Sequence, residues 1–188
     1  MPVSTPHELA EDEADTRSCR DLQVRGARCH RLLRRGHVVP TTPARTAWHQ
    51  GRTDLAGELL LQERGRHAAE HAEFVSRGLS LTTLWIPDHL LTGYGHYTLA
   101  TLNHAHQAGQ RILVGDPDQV RHMEVEEPLP EVTVYEAAVV YLHDHTLLGR
   151  RNGAVRIADP ILAAHLCEQL GELCRDAATF EALLGEVA

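Results

Sequence analysis

Residues 79–116 read LSLTTLWIPDHLLTGYGHYTLATLNHAHQAGQRILVGD. The opening LSLTTLWIP is rich in β-branched and large apolar residues, as strands are, and Pro87 ends it because proline cannot donate to a ladder. A helix then begins at Thr92 or Gly93. Its inner face is Tyr94, Leu99 (or Thr98), Leu102 and Ala105, at helical spacing. Gly109 supplies the stop, and RILVGD is short and apolar enough to be a buried strand. A strand–helix–strand unit predicts a parallel pair joined by a right-handed crossover.

The flanking segments extend this core. Thr53 or Asp54 can cap a helix whose apolar face runs through Leu55, Leu59 and Leu60 and resumes at Ala68, Ala72, Val75 and Leu79, with Gly65 dividing it and Gly78 as its cap. LQVR and CHRLLRRGHVV read as short strands, paired as a hairpin through Gly26. VTVYEAAVVYLHDHTLLGRRNGAVRIA reads as two or three strands with Asn152-Gly153 as the hairpin turn. Asp159 and Pro160 suit the cap and first position of a last helix in two pieces. The expected fold is α+β or α/β. It has a mixed sheet with helices packed on it, one strand–helix–strand crossover, and a C-terminal hairpin plus helix.

Charge divides the chain. Residues 1–16 carry Glu8, Glu11, Asp12, Glu13 and Asp15 without a cation, and predict a disordered acidic tail ahead of one globular domain at 17–188. Residues 17–37 carry a run of arginines. Arg25, Arg28, Arg31, Arg34 and Arg35 could contact nucleic acid, although the net charge of −8 opposes it and arginines also guard strand edges. All 18 basic residues are arginine. Schiff-base lysines, P-loop lysines and the lysine of phospholipase-D-type motifs are therefore excluded. No apolar run approaches the roughly 20 residues of a membrane span. With no apolar leader, the four cysteines read as reduced thiols of a cytoplasmic protein.

Three histidine groups carry the candidate chemistry. His67-Ala-Ala-Glu70-His71 spells H-x-x-E-H, the zinc pattern of inverted zinc peptidases. On a helix the two imidazoles lie one turn apart and can chelate zinc, with Glu70 as general base. A third ligand is required, and Asp144, with His143 and His145, is the crowded candidate. The alternative is an ordinary helix in a histidine-rich chain. His143 and His145 would share one face of a strand, with Asp144 on the other. They could bind metal or titrate there, or simply form the polar side of a hairpin. Tyr94, His96 and Tyr97 lie at the start of the central helix, whose dipole favours an anion. His104 and His106 point to nearly opposite sides. Cys167, Leu170 and Cys174 share a core-facing stripe.

From about Ala44 onward the chain resembles an actinobacterial family of domains of unknown function, often encoded near helix-turn-helix regulators. The similar features are Trp48 and Gly51 before the first helix, SRGLSLTTLWI, PDHLLTGYGHYTLATLNHAHQAGQRILV, LPEVTVYEAAVVYLHD and GAVRIADP, in that order. The family's central helix carries a glutamate where Thr98 stands here. The layout also resembles a sensor domain of phospholipase-D-like shape without its catalytic residues. The family itself implies no settled activity; the resemblance, the missing catalytic motifs and the absent lysine together lead to the expectation of a non-catalytic regulatory or small-molecule-sensing domain linked to transcriptional regulation or specialised metabolism. Its ligand would sit at Tyr94, His96 and Tyr97, without a resident cofactor. The partner would be a small molecule or a helix-turn-helix regulator, with no membrane. The alternatives are a small enzyme, zinc-dependent through His67, Glu70 and His71 or cofactor-free through other histidines, and nucleic-acid binding.

Overall fold

Ser80–Trp85, Gly93–Gln107 and Arg111–Val114 form a strand, a helix and a strand, and the two strands run side by side in parallel. A computed structural model describes residues 6–10, 13–14, 17–18, 21, 28–34, 42–88, 93–124, 126–136, 138–146 and 149–187. In chain order the described elements are β1 (His7–Leu9), β2 (Arg28–Leu33), α1 (Pro43–His49), α2 (Thr53–Ser76), β3 (Ser80–Trp85), α3 (Gly93–Gln107) and β4 (Arg111–Val114). They continue as α4 (Pro117–Val120), β5 (Val132–Tyr135), β6 (Val139–His145), β7 (Arg151–Ile157), α5 (Pro160–Asp176), β8 (Ala178–Thr179) and α6 (Phe180–Val187). The eight strands form one sheet in the order β1-β7-β6-β5-β2-β3-β4-β8. The fold is α+β with a mixed sheet. β2, β3 and β4 are parallel, and every other neighbouring pair is antiparallel.

Period-two alternation sends the strand side chains into two apolar layers. On one face Cys29, Leu81, Tyr135, Val139, Tyr141 and Ala154 pack with Phe74 of α2 and with Leu9 and Ala14 of the N-terminal segment. Farther along that face Trp85, Ile112 and Val114 pack under Leu99, Leu102 and Ala105 of α3 and Phe180 of α6. On the opposite face Leu32, Leu84, Leu113, Val134 and Val140 meet Ala163, Cys167 and Leu170 of α5. Cys167 and Leu170 are buried, with Cys174 half-buried beside them.

Several local expectations are met. Gly78 and Gly109 take positive φ, +69° and +97°, immediately after α2 and α3, where an L side chain would be strained. Asp159 accepts from the N–H groups of Ile161 and Leu162, with Pro160 at the first turn of α5. The C-terminal helix comes in two pieces, split by β8.

Other expectations are corrected. Gly65 does not divide α2, which runs unbroken for 24 residues, and a single glycine costs a helix only about 1 kcal/mol. Arg52 occupies the cap position of α2 without a side-chain bond, and Asp54 serves instead as a first-turn anion. The inner aromatic of α3 is Tyr97, because Tyr94 stays half-buried. A second crossover, through α1 and α2, joins β2 to its parallel neighbour β3. The partner expected for a hairpin through Gly26 lies outside the described residues; β2 pairs with β3 and β5.

The Asn152-Gly153 turn is also corrected. Both residues lie within β7, and the chain reverses before them, where Gly149 has φ +78° and Thr146 and Arg150 are bonded backbone to backbone. Gly153 has another task. Its φ is +134°, and a Cβ there would stand 2.1 Å from the Leu9 carbonyl oxygen, so glycine is what lets β1 approach β7.

Candidate functional site

On the first face the sheet carries an opening beside the described residues of the N-terminal segment. The opening is a cleft of about 280 Å³ lined by Ala14, Ser18, Arg31, Leu33, Glu131, Thr133, Tyr141, His143, His145 and Arg151. Register explains how four strands converge on it. Arg31 of β2 stands opposite Thr133 of β5, and Thr133 stands opposite Tyr141 of β6. Two residues along β6, on the same side, comes His143, and two further His145. A register shift at Asp144/His145 places Arg151 opposite His145. Asp144 points away and accepts from the Asn152 side-chain amide on the other side. An irregular β-ladder commonly re-aims a side chain in this way, and here it turns Arg151 toward the cleft.

The polar groups are connected. Thr133 Oγ1 lies 2.9 Å from His143 Nε2, and Glu131 Oε2 lies 3.5 Å from His145 Nε2. Ser18 is bonded to the Tyr135 hydroxyl at 2.6 Å. The Tyr141 hydroxyl donates to Asp21, and Asp21 also receives the Arg156 guanidinium at 2.9 and 3.1 Å. These contacts fix one wall of the cleft.

His143 carries a consequence for stability. Burial, with the Arg151 and Arg31 guanidinia close by, pushes its pKa from 6.5 down to about 3. Between those values the unfolded chain binds a proton that the folded chain refuses, so stability falls as pH falls through this window. At about 1.4 kcal/mol per unit, the histidine removes about 2 kcal/mol between pH 7 and pH 5. Urea unfolding of the wild type and of His143→Gln at the two pH values checks this. The variant is expected to lose about 2 kcal/mol less on acidification, and equal losses would refute the assignment.

The other candidate residues fall elsewhere. Tyr97 is buried against Ala44 and Leu60, edge-on to Trp48 with ring centroids 5.8 Å apart. The Arg45 guanidinium lies 5.3 Å from the Tyr94 ring and 5.2 Å from the Tyr97 ring. Both tyrosines thus hold α1 against α3, while His96 is exposed. His67, Glu70 and His71 all lie on α2 but diverge. Glu70 reaches toward Arg31 at 3.9 Å. The His71 ring lies against Gly109, where a Cβ would be 3.0 Å away. Burial pushes both His67 and His104 down, and the His67 Nε2 is buried with no partner among the described residues. Among the described residues no three His, Cys, Asp or Glu side chains gather closely enough to hold a metal ion, so the pair at 67 and 71 finds no third ligand there. His106 faces Phe180 and Glu181 of α6.

Nor do the described arginines of the basic stretch form one surface. Arg28 is paired bidentately with Glu136. Arg34 is buried against Glu124 and Asp88. Arg31 enters the cleft, while Arg25 and Arg35 lie outside the described residues. Strand alternation alone brings out His143 and His145. Glu131, Thr133 and Arg151 escape sequence reasoning, because only the β2–β5–β6–β7 register and its irregularity bring them to the cleft.

The architecture is that of an α+β domain on a mixed sheet, with a polar cleft where β2, β5, β6 and β7 meet. Within that class the assignment is to a family: residues 29–184 match the profile described as a domain of unknown function (DUF6879), and the chain belongs to it. No curated protein matches the chain. Among the described residues no helix is long and apolar enough to cross a membrane.

Proposed function

We propose that this domain is a non-catalytic small-molecule sensor whose ligand enters the cleft. The observation that carries the reading is the gathering of Arg31, Thr133, Tyr141, His143, His145 and Arg151 from four strands, with Glu131 just before β5, around one opening. Concave sites with a few convergent polar groups on a rigid scaffold are where ligands bind. The ligand position therefore shifts to the sheet from Tyr94, His96 and Tyr97, of which the two tyrosine rings serve helix packing and His96 is exposed. The three described thiols favour a non-catalytic role. Burial pushes Cys29 up to about 12, Cys174 up to about 11, and Cys167 upward as well, so none of these is a thiolate at neutral pH. The resemblance to domains encoded near helix-turn-helix regulators supplies the proposed output, a transcriptional regulator or a specialised-metabolism pathway in an actinobacterium.

The test is a thermal-shift screen of neutral, cationic and anionic metabolites, with binders located by amide chemical shifts. A cleft binder at a hundred times its Kd is expected to stabilise by about 2.7 kcal/mol and to perturb residues 131–133 and 141–145. If every stabilising compound perturbs other surfaces, the reading fails. The His145–Glu131 contact supports one alternative, general acid–base chemistry on a cleft-bound substrate. Turnover of a cleft ligand that is abolished in His145→Ala would establish it.

A further inference from the structure

The guanidinium groups described on this sheet are not alike. Arg28, Arg34 and Arg156 each hold a carboxylate at hydrogen-bond distance through two nitrogens. Arg31 does not. Among the described residues its only ion pair is with Glu70 at 3.9 Å, beyond hydrogen-bond reach, and nothing there accepts from its guanidinium. Five N–H donors on a planar fork thus stand at the cleft, on a side chain that is only 32% exposed. One strand away is the Thr133 hydroxyl, and bonded to it is the His143 ring, whose Nδ1 is buried with no partner among the described residues. Arg151 adds a second positive charge to the lining, and Glu131, beside His145, a negative one. A half-buried guanidinium that hydrogen-bonds no carboxylate of its own, flanked by a hydroxyl and an imidazole, is matched by one chemistry: a planar or tetrahedral oxyanion that accepts two parallel N–H bonds.

We propose that the cleft recognises the oxyanion group of a small molecule, a carboxylate or a phosphate, with Arg31 as its anchor and Thr133 and His143 as hydrogen-bonding neighbours. This rests on the cleft being the ligand site. It narrows that reading to anionic ligands and gives Arg31 a binding role distinct from the structural roles of Arg28 and Arg34.

The experiment titrates the full chain with inorganic phosphate in one arm and acetate in the other, at constant ionic strength set with chloride. The readout is the ring resonances of His143 and His145. Saturable shifts with a Kd in the millimolar range are expected in at least one arm, and the saturating arm identifies the group. Arg31→Met is expected to weaken binding at least about tenfold, and Arg31→Lys to restore part of it, because the charge returns without the fork. Arg111→Met, on the opposite face of the sheet, should bind as the wild type does. Circular dichroism and thermal melts establish that each variant is folded. Should Arg31→Met fail to fold, Arg31→Lys carries the comparison. Linear, non-saturating shifts up to about 50 mM in both arms would overturn the proposal, as would a folded Arg31→Met that binds like the wild type. A neutral or cationic compound that binds the cleft independently of Arg31 would sink this inference and leave the ligand-site reading intact. Compounds that stabilise only by binding elsewhere would sink both.

Discussion

Arg34→Met is expected to destabilise the fold by about 3–5 kcal/mol, the range for stripping one partner from a buried ion pair. Arg34 closes β2 with its side chain 8% exposed, and Glu124 beside it is 11% exposed. The two are joined by N–O contacts of 2.6 and 2.7 Å, and a third nitrogen reaches Asp88 at 2.7 Å. Glu124 Oε1 also receives the Leu129 N–H at 2.9 Å, so one carboxylate ties the end of β2 to the approach to β5. Arg34 holds that carboxyl below its ordinary pKa. Methionine fills similar volume but leaves Glu124 charged, buried and half-satisfied. Denaturant midpoints measure the loss, and the double variant Arg34→Met with Glu124→Gln should recover part of it. A loss below about 1 kcal/mol would mean that the pair is effectively solvated.

Gly153→Ala is expected to cost about 3 kcal/mol or to detach β1 altogether, because the new methyl would overlap a carbonyl oxygen that belongs to backbone and cannot rotate aside. Alanine at φ +134° is strained even without that neighbour. Amide hydrogen exchange separates the outcomes. Global destabilisation speeds exchange across the sheet, whereas detachment speeds it at residues 7–9 and their partners Ala154–Arg156. Unchanged stability and unchanged protection would contradict the β1–β7 pairing.

Local physics was readable in the sequence wherever one residue decides one conformation. Pro87, Gly78, Gly109 and Asp159 act within a few residues of themselves, and they marked the ends of their elements correctly. The alternation in YLHDH likewise placed His143 and His145 on one side of a strand. Misreadings arose where distant partners overrule local preference. Asn152-Gly153 has the ideal chemistry for a tight turn, yet Leu9, far away in the chain, draws Gly153 into a strand. Tyr94 and Tyr97 are both aromatic residues on the same helix, and only the packing of Trp48 and Leu60 selects Tyr97 for the interior. The cleft was the least legible part. Arg31 and Thr133 are neighbours only because β2 pairs with β5 across a long connection, a register that no short-range pattern encodes.

The strand order also sets a schedule for synthesis. β2 sits at the centre of the sheet, yet both of its neighbours are made after it: β3 ends at Trp85 and β5 at Tyr135. On the ribosome a parallel three-strand unit can assemble once β4 has emerged, but the β2 edge that β5 will occupy stays open meanwhile. The far edge, at β4, waits longer still, for Ala178 and Thr179. A pause in translation between β4 and β5 would therefore leave the nascent chain with two unsealed edges, which is when it is most exposed to mispairing with its neighbours.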